Sequence, residues 1–94
     1  ILGYYRKQHP FAFWQEDRFI VPGDHPLPMA MPSGLVGGLV CYDLRFPDLA
    51  VIQVFQGARL IVVTAQWPMA RLDHWQILIR ARAIENQVFI AACN

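Results

Sequence analysis

The run Gly37-Gly38-Leu39-Val40-Cys41-Tyr42-Asp43-Leu44-Arg45-Phe46-Pro47 leaves this chain few ways to fold. Residues 35–40 are apolar and glycine-spaced, as a strand buried on both faces requires. Pro47 suits the first position of a helix, where its missing N–H is no loss, and Asp48 then places a negative charge in the first turn. Cys41 falls where the buried strand stops and the chain turns towards the helix. Ligands and reacting groups collect at such places, just beyond the carboxyl ends of strands. A thiol there is a candidate nucleophile when something holds it as thiolate, although a small buried hydrophobe is the commoner fate of a free cysteine.

The residues that follow complete a βαβ unit. A helix is expected over 47–56, with Leu49, Ile52 and Phe55 on one face and Ala50 and Val54 beside them, a coverage broad enough to bury most of it. Gly57 is placed to cap it. Residues 59–64 read as a second buried strand, parallel to the first and next to it. Asp73 and Gln76 have capping-box spacing and open a helix running to about Glu85, with Trp75, Ile79 and Ala83 as its packing stripe and an Arg82–Glu85 pair. Residues 88–92 form a third short strand, ending at Cys93, which reads as a buried strand-end residue. The fold class is α/β.

Upstream the pattern is less regular. Residues 1–7 are β-prone and aromatic, and read as a strand ending in the basic pair Arg6-Lys7. Lys7 is either a solvated strand-end charge or a cation aimed into the cavity that holds Cys41. Residues 9–32 carry Pro10, Pro22, Pro26, Pro28 and Pro32 with a turn at Pro22-Gly23-Asp24. Their aromatic content predicts an ordered loop folded over something else. Of the 94 residues, 55% are hydrophobic and only 16% charged, which suggests a piece of a larger buried core, with Ile1 and Asn94 not natural termini. A net charge of +1 favours neither nucleic acid nor an anionic membrane, and no apolar run approaches the ~20 residues that span a bilayer. Two cysteines without a spacing motif fit a reducing, cytoplasmic setting better than a disulfide framework. His9, His25 and His74 lack metal-ligand spacing and no glycine-rich phosphate loop occurs, so no metal or cofactor is expected.

Four segments resemble, in order, those of the nitrilase superfamily of carbon–nitrogen hydrolases: Tyr5-Arg6-Lys7-Gln8-His9; Glu16-Asp17-Arg18-Phe19 running to Pro22-Gly23-Asp24; the nucleophile segment from Val40 to Pro47; and His74-Trp75 with residues 80–87. Cys41-Tyr42-Asp43 is similar to the amidase branch, and with Gln66-Trp67-Pro68 and Arg71 to the omega-amidases. Pro10 departs from the leucine common there. The resemblance implies an α-β-β-α sandwich of which residues 1–94 are the central portion of a single domain. The strand bearing the family's general-base glutamate and the closing C-terminal strands would lie outside, and the full-length protein would be a homo-oligomer.

The activity so implied is hydrolysis of a small carboxylic or 2-oxo acid amide by water, through a thioester on Cys41, with release of ammonia. Cys41 takes the role of nucleophile in a Glu-Lys-Cys triad. Lys7 and the backbone N–H of Tyr42 face the oxyanion, and Glu16 orients the lysine unless it is simply an exposed loop acid. Arg45 is either a carboxylate clamp or a brace for Asp43 or Asp48. Trp67 lines the acyl pocket, packs in the core, or does both, and His74 caps and packs its helix. Another amidase, nitrilase or carbamoylase activity is the first alternative. A non-catalytic half-sandwich that associates through apolar faces is the second. Without the general base, residues 1–94 by themselves are expected to show no amidase turnover, since a positioned base is worth about 10²–10⁴-fold in rate. Ammonia release and solution mass of the purified 94-residue chain check this; turnover near that of a complete family member would point to Glu16 as the base.

Overall fold

The β-prone segments assemble into one four-stranded sheet in the computed structural model, which describes residues 1–94. Its strands are β1 (Met29–Met31), β2 (Gly34–Val40), β3 (Leu60–Thr64) and β4 (Phe89–Cys93), in that spatial order. β2, β3 and β4 are parallel, with Gly37 opposite Ile61 and Ile61 opposite Ile90. The helices α1 (Pro47–Phe55) and α2 (Leu72–Asn86) make the two crossovers and pack against each other. The result is an α/β layer of two helices on one sheet, in which Leu39, Leu44, Leu49, Ile61, Val63 and Trp75 form the core. Each such side chain contributes about 1.5–3 kcal/mol on burial.

The strand–helix–strand order and the end of α1 follow the sequence closely. Pro47 is the first residue of α1, and Gly57 follows its last turn at a φ of 104°, a conformation that only glycine adopts without strain. Arg82 and Glu85 pair at 2.9 Å, so the acid near the C-terminus of α2 does have a specific partner.

Five expectations need correction. Residues 1–7 are not a strand. They run extended across the sheet face opposite the helices, with Tyr5 against Gly38 and Gly3 against Met29, and their one backbone hydrogen bond is from Gly23 N–H to the Lys7 carbonyl, 2.8 Å. Past β1, the open edge of β2 at Gly38 is taken by the side chain of Gln53. Second, part of the proline-rich segment is a strand: β1 pairs antiparallel with the start of β2 across the two-residue turn at Pro32-Ser33, with Met31 opposite Gly34. Third, Asp73 does not cap α2. A 3-10 turn over Met69–Arg71 feeds directly into the helix, so its carbonyls take the place of a side-chain acceptor, and Asp73 stays exposed.

Fourth, α1 is buried on a different face. Leu49, Ala50 and Gln53 are enclosed, whereas Phe55 is 93% exposed and Ile52 and Val51 are partly so. Polar Gln53 takes the position facing β2 because the strand needs it. Its Nε2 donates to the carbonyls of Gly38 and Leu49, both 3.0 Å, and its Oε1 accepts from Gly38 N–H at 2.8 Å. Those Gly38 groups lie beyond the end of short β1, with no strand to satisfy them. Fifth, Cys93 is exposed rather than buried, because β4 is an edge strand of this sheet.

Gln53→Leu keeps the volume but strands a buried N–H and carbonyl of Gly38. It is expected to destabilise the intact protein by about 2–4 kcal/mol, read as a lower urea midpoint at unchanged m-value; a loss below about 0.5 kcal/mol would mean that water replaces the glutamine.

Candidate active site

Between β2 and α1 the chain does not go straight from strand to helix. Residues Cys41–Arg45 form a 3-10 turn, and Cys41 itself stands at φ 51°. A non-glycine side chain held in that region is strained by about 1–3 kcal/mol, so the surroundings must hold it there. Nothing in the sequence pattern gives this away, because local preference would place a glycine at such an angle. The consequence is geometric. The half-buried thiol projects from the strand end, 3.7 Å from the carbonyl of Gln66 on the loop after β3. The N–H of Tyr42, at the start of the turn, has no acceptor within it.

Asp43 is what holds the turn, a role the sequence reading missed. Its carboxylate has 0% exposure and accepts hydrogen bonds from Val40 N–H (3.2 Å), Gln8 N–H (3.2 Å), His9 N–H (2.8 Å) and the Tyr5 hydroxyl (3.0 Å). The His9 ring lies flat on Phe46, centroids 3.5 Å apart; its Nδ1 comes within 3.3 Å of Asp43 but is poorly angled and makes no hydrogen bond. Burial, then the Asp43 charge and hydrogen bond, push the Tyr5 hydroxyl far above its ordinary range, keeping it a donor. From the other side, Arg82 donates to the Leu44 carbonyl at 2.9 Å. The segment before Lys7, the turn bearing Cys41 and helix α2 are thereby fixed relative to one another.

Lys7, 7% exposed, is not a solvated charge: it is ion-paired with Glu16. Glu16 opens a short 3-10 turn, Glu16–Arg18, in the proline-rich loop and also accepts from Phe11 N–H at 2.7 Å. Desolvation would raise its carboxyl, but the hydrogen bonds from Lys7 and Phe11 and the lysine charge together hold it below the ordinary 4.5. The loop does fold over something. Phe11 packs on the Tyr42 ring at 4.7 Å, and Phe11 and Trp14 meet edge to face at 5.7 Å.

These parts enclose a cleft of about 670 Å³ lined by Glu16, Cys41, Tyr42, Arg45, Trp67 and Arg71 among others. Lys7 lies behind Glu16 rather than on the wall. Trp67 is both wall and core: it is buried, packs on Trp75 at 5.4 Å, and is tied to Asn94 through its main chain. Arg45 braces neither Asp43 nor Asp48. It lies over the Trp67 ring at 4.9 Å and bonds His74 Nδ1 at 3.3 Å, which makes that nitrogen the acceptor. His74 thus packs against Arg45 and caps nothing. Cys93 carries a free thiol and is absent from the cleft wall. Groups of three or more His, Cys, Asp or Glu side chains that could hold a metal ion do not occur. No helix is long and apolar enough to cross a membrane.

The pattern of the family described as Carbon-nitrogen hydrolase matches residues 1–94. The chain is 42% identical over 94 residues to the 2-oxoglutaramate amidase of Bacillus subtilis and 44% identical over 95 residues to that of Paenarthrobacter nicotinovorans. All of the chain aligns with the first and 96% of it with the second, but it spans only 36% and 32% of their lengths. Among solved structures, Nit3 of Saccharomyces cerevisiae, a member of branch 10 of the nitrilase superfamily, superposes with a TM-score of 0.87 at 30% identity, over 99% of this chain and 34% of that one.

The lowered Glu16 carboxyl predicts a pH dependence. A group whose folded pKa is depressed adds stability above its unfolded pKa and loses it as pH falls through the folded value. The stability difference between the parent and Glu16→Gln should therefore be full above about pH 5 and shrink steadily on acidification below about pH 4.5, as measured by urea unfolding of both proteins; a difference independent of pH would show that folding does not lower the Glu16 carboxyl.

Proposed function

The chain belongs to the carbon–nitrogen hydrolase family, and from that premise we propose that it carries the nucleophile, lysine and second glutamate of an amidase. The reaction is hydrolysis of a small carboxylic or 2-oxo acid amide through a thioester on Cys41. One observation carries this reading above the others: Cys41 is held at a left-handed φ at the end of a buried parallel strand, on the wall of a cleft whose acid, Glu16, is ion-paired with a buried lysine. A merely structural cysteine has no use for that strain.

The Cys41 thiolate attacks the amide carbon, and the carbonyl electrons move onto oxygen. The Tyr42 N–H, unpaired by its own turn, stabilises that oxyanion from the cleft wall, and Lys7 adds its charge from behind Glu16; a single preorganised donor contributes about 2.7–4 kcal/mol. Collapse breaks the C–N bond and ammonia leaves with the proton taken from the thiol. Water then cleaves the thioester, giving the carboxylic acid and regenerating the thiol. The proton carrier is best sought outside these side chains, because Glu16 is already committed to Lys7 and Phe11 and its lowered pKa makes it a weak base. Glu16 is instead the group that fixes the position and charge of Lys7.

In this reading residues 1–94 form the central portion of one hydrolase domain, in keeping with their share of the relatives' length. The exposed Phe55, Ile77 and Ile84 on α1 and α2 support association through the helical face, as in a homo-oligomer. The free thiols of Cys41 and Cys93 support a reducing, cytoplasmic setting.

Cys41 should be the only cysteine to form the thioester. Acid quenching of the intact protein during turnover, followed by peptide mass spectrometry, is expected to place the acyl group on the Cys41 peptide, and Cys41→Ala to lose at least about 10⁴-fold in kcat. An acyl group on Cys93, or full activity in Cys41→Ala, would overturn the mechanism.

A further inference from the structure

Two cations stand on the cleft wall without an acidic partner. Arg45 and Arg71 both line it, and neither takes part in any ion pair of the chain. The one acid on the same wall, Glu16, is already neutralised by Lys7. The cleft therefore carries an uncompensated charge of two guanidinium groups, which attracts an anion from solution and holds it in a concave site.

Trp67 sets the two arginines relative to each other. Its ring lies under the Arg45 guanidinium at 4.9 Å, and its Nε1–H donates to the main-chain carbonyl of Arg71 at 2.8 Å. The tryptophan is itself fixed, since its N–H donates to Asn94 Oδ1 at 2.6 Å and its body is buried against Trp75. One rigid indole thus anchors a side chain on one flank and a backbone on the other. Both guanidinium groups keep most of their donors free. Arg45 gives one to His74, and Arg71 Nη1 gives one to the neighbouring carbonyl of Ala70 at 3.2 Å. Each guanidinium has five N–H donors, and a carboxylate offers about four lone-pair positions for them.

We propose that Arg71 and Arg45 form one anion clamp, organised by Trp67, and that Arg71 is a specificity-determining residue selecting amides with a carboxylate at the end remote from the scissile bond. The inference rests on the amidase reading of the same cleft. The amide end meets Cys41 while the carboxylate meets the two arginines, so charge recognition and chemistry sit at opposite ends of one small molecule. Loss of one charge-assisted contact corresponds to about 10–100-fold in affinity.

The test compares, in the intact protein, a 2-oxo acid omega-amide, the same omega-amide acid without the oxo group, and a neutral amide of similar length. In Arg71→Gln the preference in kcat/KM for the two charged amides over the neutral one should fall about 10–100-fold, mainly through KM. Arg71→Lys should restore part of it, because charge returns without the planar fork. A binding arm is independent of turnover: calorimetry on Cys41→Ala should show the charged amides binding, and adding Arg71→Gln should weaken them by a similar factor. Equal losses for charged and neutral amides, or unchanged binding on adding Arg71→Gln, would overturn the clamp. Full turnover in Cys41→Ala would instead remove the amidase reading, while the binding arm still decides on Arg71.

Discussion

Asp43 is wholly enclosed, and the donors that reach its carboxylate come from two separate parts of the chain: Val40 at the end of β2, and Gln8, His9 and the hydroxyl of Tyr5 on either side of Lys7. A buried carboxylate is costly unless its oxygens are well satisfied, and removing one donor from such a set is felt by the rest. Because three donors belong to the segment that carries Lys7, satisfying Asp43 also fixes where that lysine starts. Because one belongs to the strand end, it fixes the turn in which Cys41 is strained. Cation and thiol are thus placed by one interaction that touches neither of them.

Glycine at 37 and 38 permits this arrangement from below. A Cβ at Gly38 would come within 3.0 Å of Tyr5, and one at Gly37 within 3.0 Å of Gln53 and 3.1 Å of Ile61. The strand is therefore approached closely on both faces, by the extended segment on one side and by helix α1 on the other. A side chain at Gly38 would press on Tyr5, whose hydroxyl reaches Asp43, and one at Gly37 would press on the Gln53 amide that satisfies the strand. The bareness of the strand and the burial of the carboxylate are two halves of one packing solution.

The electrostatics of the cleft divide in the same economical way. Lys7 and Glu16 cancel each other at the wall. Arg45 and Arg71 remain uncancelled on it. An aromatic face beneath a guanidinium stabilises the charge without neutralising it, which is how Trp67 holds Arg45 in place while leaving its field available to a ligand.

Periodicity and punctuation were enough to give the βαβ order, the parallel neighbours β2 and β3, the ends of α1 at Pro47 and Gly57, the Arg82–Glu85 pair and the position of Cys41 at a strand end. These depend on interactions within a few residues, or on apolar patterns that repeat along the chain. Four runs of residues also carried the family resemblance. The rest depended on partners far apart in sequence. No local rule could reveal that Asp43 would collect donors from 35 and 38 residues away, or that Gln53, set among the apolar residues of α1, would be buried to complete a strand edge. The left-handed angle at Cys41 runs against local preference and exists only because tertiary contacts enforce it. Residues 1–7 look like a strand and are not one, since β-propensity makes a strand only where a neighbouring edge is free, and which edges are free is decided by the fold as a whole.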